Sequence, residues 1–209
     1  MKKGILITFE GIDGAGKSIQ TELLESFLKK RGEKVVSFRE PGGTDIGERI
    51  REIFTDPSLK IPPWSEVSLI LASRKVLIDH EIMPKLSLGY FILLDRFIDS
   101  TIAYQGYGKG LNIDYIEKMH IYTGINLIPN ITFLLDLSVS ESIKRISQRR
   151  EKGLARTERE PFSFYDKVRN GYMYLAKKEP ERIKVLNAER KIYDIHRDII
   201  ENLEKNGFI

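Results

Sequence analysis

The chain has 209 residues, 41% of them apolar and 31% charged, and contains no Cys. This length suits one domain with a sizeable core, and the composition excludes disordered, collagen-like and repeat architectures, while the missing thiols exclude a disulfide scaffold, a thiolate metal site and a Cys nucleophile. A formal charge of +4, from 34 basic and 30 acidic side chains, is too small to call for nucleic acid, and no apolar run approaches the roughly 18 residues of a membrane helix.

Lys2-Lys3 and the apolar Ile5 to Phe9 imitate a secretion signal, but the run is short and Glu10 ends it, so a cytoplasmic protein is the expectation. Ile5-Leu6-Ile7-Thr8-Phe9 instead has the continuous apolar, β-branched pattern of a strand buried on both faces. Lys17 to Lys30 follows at helical period, with Leu23, Leu24, Phe27 and Leu28 in one stripe and Gly32 as its stop. Val35 to Phe38 reads as a second strand. A helix is expected from near Thr44 to Phe54, and after Pro57, Pro62 and Pro63 another helical stretch to about Met83. Tyr90 to Leu94 and Ile131 to Leu135 are two further central strands, each followed by an Asp. Ile183 to Leu186 reads as the last strand and Ile192 to Leu203 as a closing helix. Alternation of this kind predicts one α/β domain over 1–209, a three-layer fold with a parallel five-stranded sheet and helices on both faces.

Gly11-Ile12-Asp13-Gly14-Ala15-Gly16-Lys17-Ser18 matches G-x-x-x-x-G-K-[ST] between an expected strand and an expected helix. Glycines let the backbone curl so that successive N–H groups face phosphate oxygens, and the helix N-terminus adds its dipole. Lys17 can then reach the β- and γ-phosphates of a nucleotide, and the Ser18 hydroxyl can ligate Mg²⁺. GTPases, ATPase motors and small-molecule kinases share a loop of this kind. Asp95-Arg96 closes the third central strand, where side chains enter the ligand crevice of a parallel sheet. There an acid can hold Mg²⁺ and an arginine can grip a second phosphate. No Asn-Lys-x-Asp guanine-reading pattern is present, which argues against a GTPase. A basic cluster from Lys144 through Arg145, Arg149, Arg150, Lys152 and Arg156 to Arg159 suggests an Arg-rich lid over about 145–160.

With these blocks on the page, the chain resembles the thymidylate kinases, a family of phosphate-loop nucleoside-monophosphate kinases. Three segments carry the likeness: 9–18, 39–44 (Arg39-Glu40-Pro41-Gly42-Gly43-Thr44) and 95–106 (Asp95-Arg96-Phe97 to Gly106), in the family's order and spacing. The resemblance implies ATP- and Mg²⁺-dependent phosphorylation of dTMP to dTDP by a homodimer. It also implies roles by position. Asp13 would accept the sugar 3′-hydroxyl; Arg96, Arg51 and Arg39 would bind the dTMP phosphate. Arg74 would meet the thymine ring, with Thr101 and Gln105 at the base, and Tyr104 would pack where a ribose 2′-hydroxyl would sit. The loop's Gly14-Ala15, with no arginine, resembles the bacterial-type branch of the family, which implies a catalytic arginine in the lid, with Arg149, Arg150 and Arg156 as the candidates.

Three positions depart from the family pattern: Ile70 stands where a phenylalanine commonly stacks on thymine, Ile19 where a threonine follows the loop Ser, and Ala155 where an aspartate precedes the lid arginine. Loss of stacking at Ile70 keeps two alternatives open, a kinase for another nucleoside monophosphate or nucleoside and a nucleotide-binding module with little turnover. His80, His120 and His196 are read as structural or surface residues away from the site.

Overall fold

In the computed structural model, which describes residues 4–148, 156 and 160–209, the sheet order is β2-β3-β1-β4-β5 and all four pairings are parallel. The strands are β1 (Ile5–Glu10), β2 (Val35–Arg39), β3 (Phe91–Asp95), β4 (Ile131–Asp136) and β5 (Ile183–Asn187). The central three are apolar almost throughout because both their faces are covered: Ile7, Phe9, Ile92, Leu93, Leu94 and Phe133 have no accessible surface. One polar contact crosses this core, between the Thr8 and Thr132 hydroxyls at 2.7 Å.

Helices flank the sheet. The helix α1 (Lys17–Lys30) has the bounds its period predicts, and Gly32 follows it at φ 78°, where a side chain would be strained. Thr44 caps α2 (Asp45–Thr55) by accepting from Gly47 N at 3.0 Å. The stretch expected to run to Met83 is three elements: α3 (Pro63–Leu77), a π-helical turn (Ile78–Ile82) and α4 (Met83–Ser87). Downstream lie α5 (Ile98–Thr101), a π-helical segment (Ile102–Gly108), α6 (Ile113–Tyr122), α7 (Val139–Gln148), α8 (Phe162–Lys178) and α9 (Ile192–Lys205). Of the expected lid, only Arg145 to Gln148, Arg156 and Glu160 are described; Arg149, Arg150 and Ala155 lie outside the described residues.

All strands point the same way, so their carboxyl ends form one edge. Glu10, Arg39, Asp95, Asp136 and Asn187 end the five strands there. Over that edge α8 packs along the π-helical segment through two reciprocal gaps. A Cβ on Gly108 would lie 2.6 Å from the Phe164 ring, and one on Gly171 2.6 Å from the Tyr107 ring. These glycines let α8 approach closely enough for Tyr165 and Tyr172 to reach the site. Gly171→Ala therefore tests two opposed terms. Helix propensity alone would stabilise the variant by about 1 kcal/mol, whereas overpacking costs roughly 1–3 kcal/mol. We expect a lowered urea midpoint; a raised one would show that the Tyr107 ring yields freely.

Candidate active site

The loop after β1 is organised by its carbonyls. Lys17 Nζ donates to Gly11 O and Ile12 O, both at 3.1 Å; Ser142 Oγ of α7 donates to Asp13 O at 2.6 Å, and Arg145 Nη1 to Gly14 O at 3.3 Å. With these carbonyls tied, and apart from Ala15 N–H, which donates to Ile12 O at 3.3 Å, the loop's N–H groups are left to an anion. Gly11, Gly14 and Gly16 all take positive φ, and at Gly11 a Cβ would sit 2.5 Å from Leu135 O. Gly16 precedes α1 and makes no side-chain cap, so the helix N-terminus faces the same space.

Arg96 enters this space from the end of β3 at φ 75°, a left-handed conformation that costs a non-glycine residue about 1–2 kcal/mol. Its Nη1 donates to Gly11 O at 3.1 Å, the carbonyl that also receives Lys17. Two 3.1 Å bonds to one oxygen hold the ammonium and guanidinium nitrogens within about 6 Å of each other. Nη2 pairs with Asp13 Oδ1 at 2.6 Å and with Tyr104 OH at 3.0 Å, and the guanidinium lies 4.7 Å above the Tyr104 ring. Burial would raise the Asp13 carboxyl, but Arg96 and Lys17 bring it below its ordinary value. Burial, with Arg96 next in size, pulls Lys17 down to about 8. Ser18 Oγ donates to Asp95 Oδ2 at 2.6 Å, which puts two hard oxygen atoms side by side at the strand end.

Three cavities join into one groove. The middle one is lined by the loop, Lys17, Ser18, Asp95 and three arginines, Arg39, Arg51 and Arg96. Arg51 Nη1 donates to Pro41 O at 3.1 Å, and Arg39 pairs with Glu48 at 3.0 Å. On one side Asp13, Arg51 and Arg96 are shared with a cavity that also contains Phe54, Ile70, Arg74, Thr101, Tyr104 and Gln105. On the other, Gly14, Gly16 and Ile19 are shared with a cavity containing Gln20, Arg145, Ala188, Arg190, Ile192 and Ile195. This third cavity was not legible in the sequence, since Ala188 and Arg190 reach it from the loop after β5, far along the chain.

Arg74 is 1% exposed, and its donors are fully engaged. Nε donates to Glu40 Oε2 at 2.7 Å, with Nη2 2.6 Å from the same oxygen; Nη1 donates to Thr101 Oγ1 at 3.0 Å, and Nη2 to Phe97 O at 2.9 Å. The remaining contact corrects the reading of the histidines. His120 Nε2 lies 2.7 Å from Arg74 Nη1, while Nδ1 lies 2.8 Å from Ile116 O. An arginine only donates, so Nε2 is the acceptor and Nδ1 carries the proton. Burial, then Arg74, pulls His120 down to about 4. The available signal was its place four residues after the buried Ile116, on the inward face of α6.

Gln105 Nε2 donates to Glu66 Oε2 at 3.0 Å, and Glu66 Oε1 receives Arg156 Nη1 at 2.6 Å. Arg156 also donates to Phe54 O at 3.0 Å and stacks 5.0 Å from the Phe54 ring. It thus lies against the cavity of Ile70 and Arg74 rather than over Lys17, a placement the basic cluster did not suggest. Glu40 and Glu66, buried carboxylates to which the sequence assigns no role, orient two of the three side chains expected at the base, Arg74 and Gln105.

The family model described as thymidylate kinase matches residues 9–199. A thymidylate kinase of Chlorobium phaeobacteroides is 43% identical over 208 residues, covering 96% of this chain and 95% of that one. One from Thermoanaerobacter sp. is 38% identical over 203 residues, covering 97% and 98%. The crystal structure of thymidylate kinase from Ehrlichia chaffeensis superposes with a TM-score of 0.79 at 33% identity, covering 97% of this chain and 99% of that one. None of these similarities favours a different acceptor or a non-catalytic module.

His120 gives a pH signature. Its folded pKa lies below the ordinary 6.5, so the unfolded chain takes the proton first: its contribution is intact above pH 6.5 and lost as pH falls toward 4. We expect the wild type to lose about 3 kcal/mol more than His120→Asn over that interval in urea titrations. Parallel pH profiles would contradict the assignment.

Proposed function

The chain belongs to the thymidylate kinase family, nucleoside-monophosphate kinases that pass the γ-phosphoryl of ATP to dTMP, and on that premise we propose how its groove performs the transfer. ATP lies with its adenosine in the cavity of Ile19, Arg145 and Arg190 and its β- and γ-phosphates in the loop. Lys17 exchanges the carbonyls of Gly11 and Ile12 for phosphate oxygens. The dTMP phosphate meets Arg96, with Arg51 and Arg39 on the flank of the same cavity. Thymidine fills the cavity beyond, with Tyr104 and Asp13 at the sugar and Arg74, Thr101 and Gln105 at the base. Arg74 is held there by Glu40, Thr101, Phe97 O and His120 with every donor engaged, so it orients Thr101 at the base and bonds a thymine carbonyl itself only by exchanging one of these partners. Ile70 lacks an aromatic face, but Phe54 lines the same cavity and supplies one.

The observation that carries this reading is the Gly11 carbonyl shared by Lys17 and Arg96, one cation belonging to each nucleotide. The acceptor is a phosphate monoester with a second pKa near 6, largely dianionic at neutral pH, so no general base is required. Positioning and charge neutralisation are then what the protein has to supply. Ser18 and Asp95 fit Mg²⁺, which takes oxygen ligands and is commonly bound through one or two side chains plus phosphates and water. Bound there, the ion would neutralise charge on the β- and γ-phosphate oxygens. Arg149 and Arg150, outside the described residues, are kept as the candidates for the catalytic arginine, whereas Arg156, through Glu66, is assigned to the acceptor side. The proposal takes 1–209 as a single catalytic domain, working in the cytoplasm as a homodimer. Among the described residues no helix is long and apolar enough to cross a membrane.

A coupled assay across nucleoside monophosphates should show dTMP turned over faster than AMP, CMP or GMP; faster turnover of one of these would overturn the acceptor assignment. Arg96→Ala removes charge-assisted bonds of about 1.5–3 kcal/mol each, so kcat/KM for dTMP should fall roughly 100-fold with little change in the KM for ATP. An unchanged kcat/KM would remove Arg96 from the acceptor site.

A further inference from the structure

Behind Arg96 lies a carboxylate that the transfer reaction itself does not use. Glu10, the last residue of β1, is wholly buried. Its Oε1 accepts the main-chain N–H of Phe97 at 2.8 Å and of Ser100 at 3.3 Å. Its Oε2 accepts the Ser100 hydroxyl at 2.5 Å and the Tyr172 hydroxyl at 2.9 Å. Both hydroxyl oxygens in turn receive Arg96 Nη1, at 3.1 Å from Ser100 and 3.3 Å from Tyr172, and they lie 2.8 Å from each other.

We propose that Glu10 is the positioning residue for Arg96, fixing both the strained main chain beside it and the direction in which its guanidinium is held. The proposal rests on the reading of Arg96 as the grip on the acceptor phosphate. Two observations support it independently. First, the left-handed turn at Arg96 is fastened on both sides: Arg96 N–H donates to Phe9 O at 3.0 Å, and the next N–H, of Phe97, donates to Glu10. Second, a hydroxyl that donates to a carboxylate turns its lone pairs away from it, and here they turn toward Nη1. Glu10 thus determines that Ser100 and Tyr172 accept from Arg96 and leave Nη2 to Asp13 and Tyr104.

The charged groups around Glu10 are few. Arg96 faces it from the end of β3 and Lys17 from α1, while Asp99 of α5 is drawn off by a two-bond pair with Arg182 at 2.7 and 2.8 Å. Burial and Asp99 push the Glu10 carboxyl up to about 7, against Ser100, Arg96 and Tyr172. The four donors converging on its oxygens are satisfied together only by the ionised form.

Glu10→Gln separates the two tasks. Its amide oxygen still accepts both main-chain N–H groups, but its NH₂ confronts the hydroxyls and turns their protons toward Arg96. The test is steady-state kinetics on the full chain for Glu10→Gln, for the Ser100→Ala/Tyr172→Phe pair and for the combined triple variant, with Arg96→Ala as reference. The expected result is a dTMP KM raised about ten-fold or more in the first two, an ATP KM within about two-fold, and a triple variant no worse than Glu10→Gln. A dTMP KM within two-fold of wild type in Glu10→Gln, or additive losses in the triple, would overturn the proposal while Arg96→Ala still shows its defect. If Glu10→Gln does not fold, the Ser100/Tyr172 pair alone decides by the same criterion. An unaffected dTMP KM in Arg96→Ala would instead remove the reading on which the proposal stands.

Discussion

Two cations share one carbonyl oxygen at the centre of this molecule. Lys17 and Arg96 both donate to Gly11 O, and at the widest separation this allows, about 6 Å, their mutual repulsion is roughly 3 kcal/mol at an effective dielectric of 20. Asp95 and Asp13 offset part of it, and burial, with Arg96 second, holds Lys17 well below the ordinary range of an ammonium. A site of this kind is preorganised for anions. Phosphate oxygens arriving between the two cations replace repulsion with attraction at both, and neither Lys17 nor Arg96 has to be brought in from elsewhere at the moment of transfer.

The fold produces that juxtaposition through strand order. With β1 central and β3 beside it, the loop after β1 and the turn after β3 leave the sheet as neighbours, Phe9 opposite Asp95. Each turn requires a backbone that few residues tolerate. Glycines supply it at positions 11, 14 and 16, whereas Arg96 takes φ 75° as a non-glycine and is held by Phe9 O and the Glu10 network. Strain appears where a functional group must leave a strand at a sharp angle, and buried hydrogen bonds retain it there.

Strands, the phosphate loop and α1 were legible because each depends on local pattern: continuous apolar runs for strands buried on both faces, a fixed glycine spacing, and a 3.6-residue stripe ending at Gly32. The π-helical segment Ile102–Gly108, which packs closely on α8 at Gly108 and Gly171, was not, since no local periodicity marks it. Side chains proposed to meet the nucleotides could be named from motifs, but those orienting them could not. His120 lies 46 residues from Arg74 and Glu66 lies 39 from Gln105, and a carboxylate or imidazole on a helix reads first as solvated. Glu10 was the exception in principle: a charge ending an apolar strand signals a buried partner.

The most direct measurement is a crystal structure with dTMP, Mg²⁺ and a non-hydrolysable ATP analogue. Arg96 should lie within about 3 Å of a dTMP phosphate oxygen and Lys17 within the same distance of a γ-phosphate oxygen, with Gly11 O relieved of at least one of them. A dTMP phosphate seated away from Arg96, with Lys17 and Arg96 both still on Gly11 O, would contradict it.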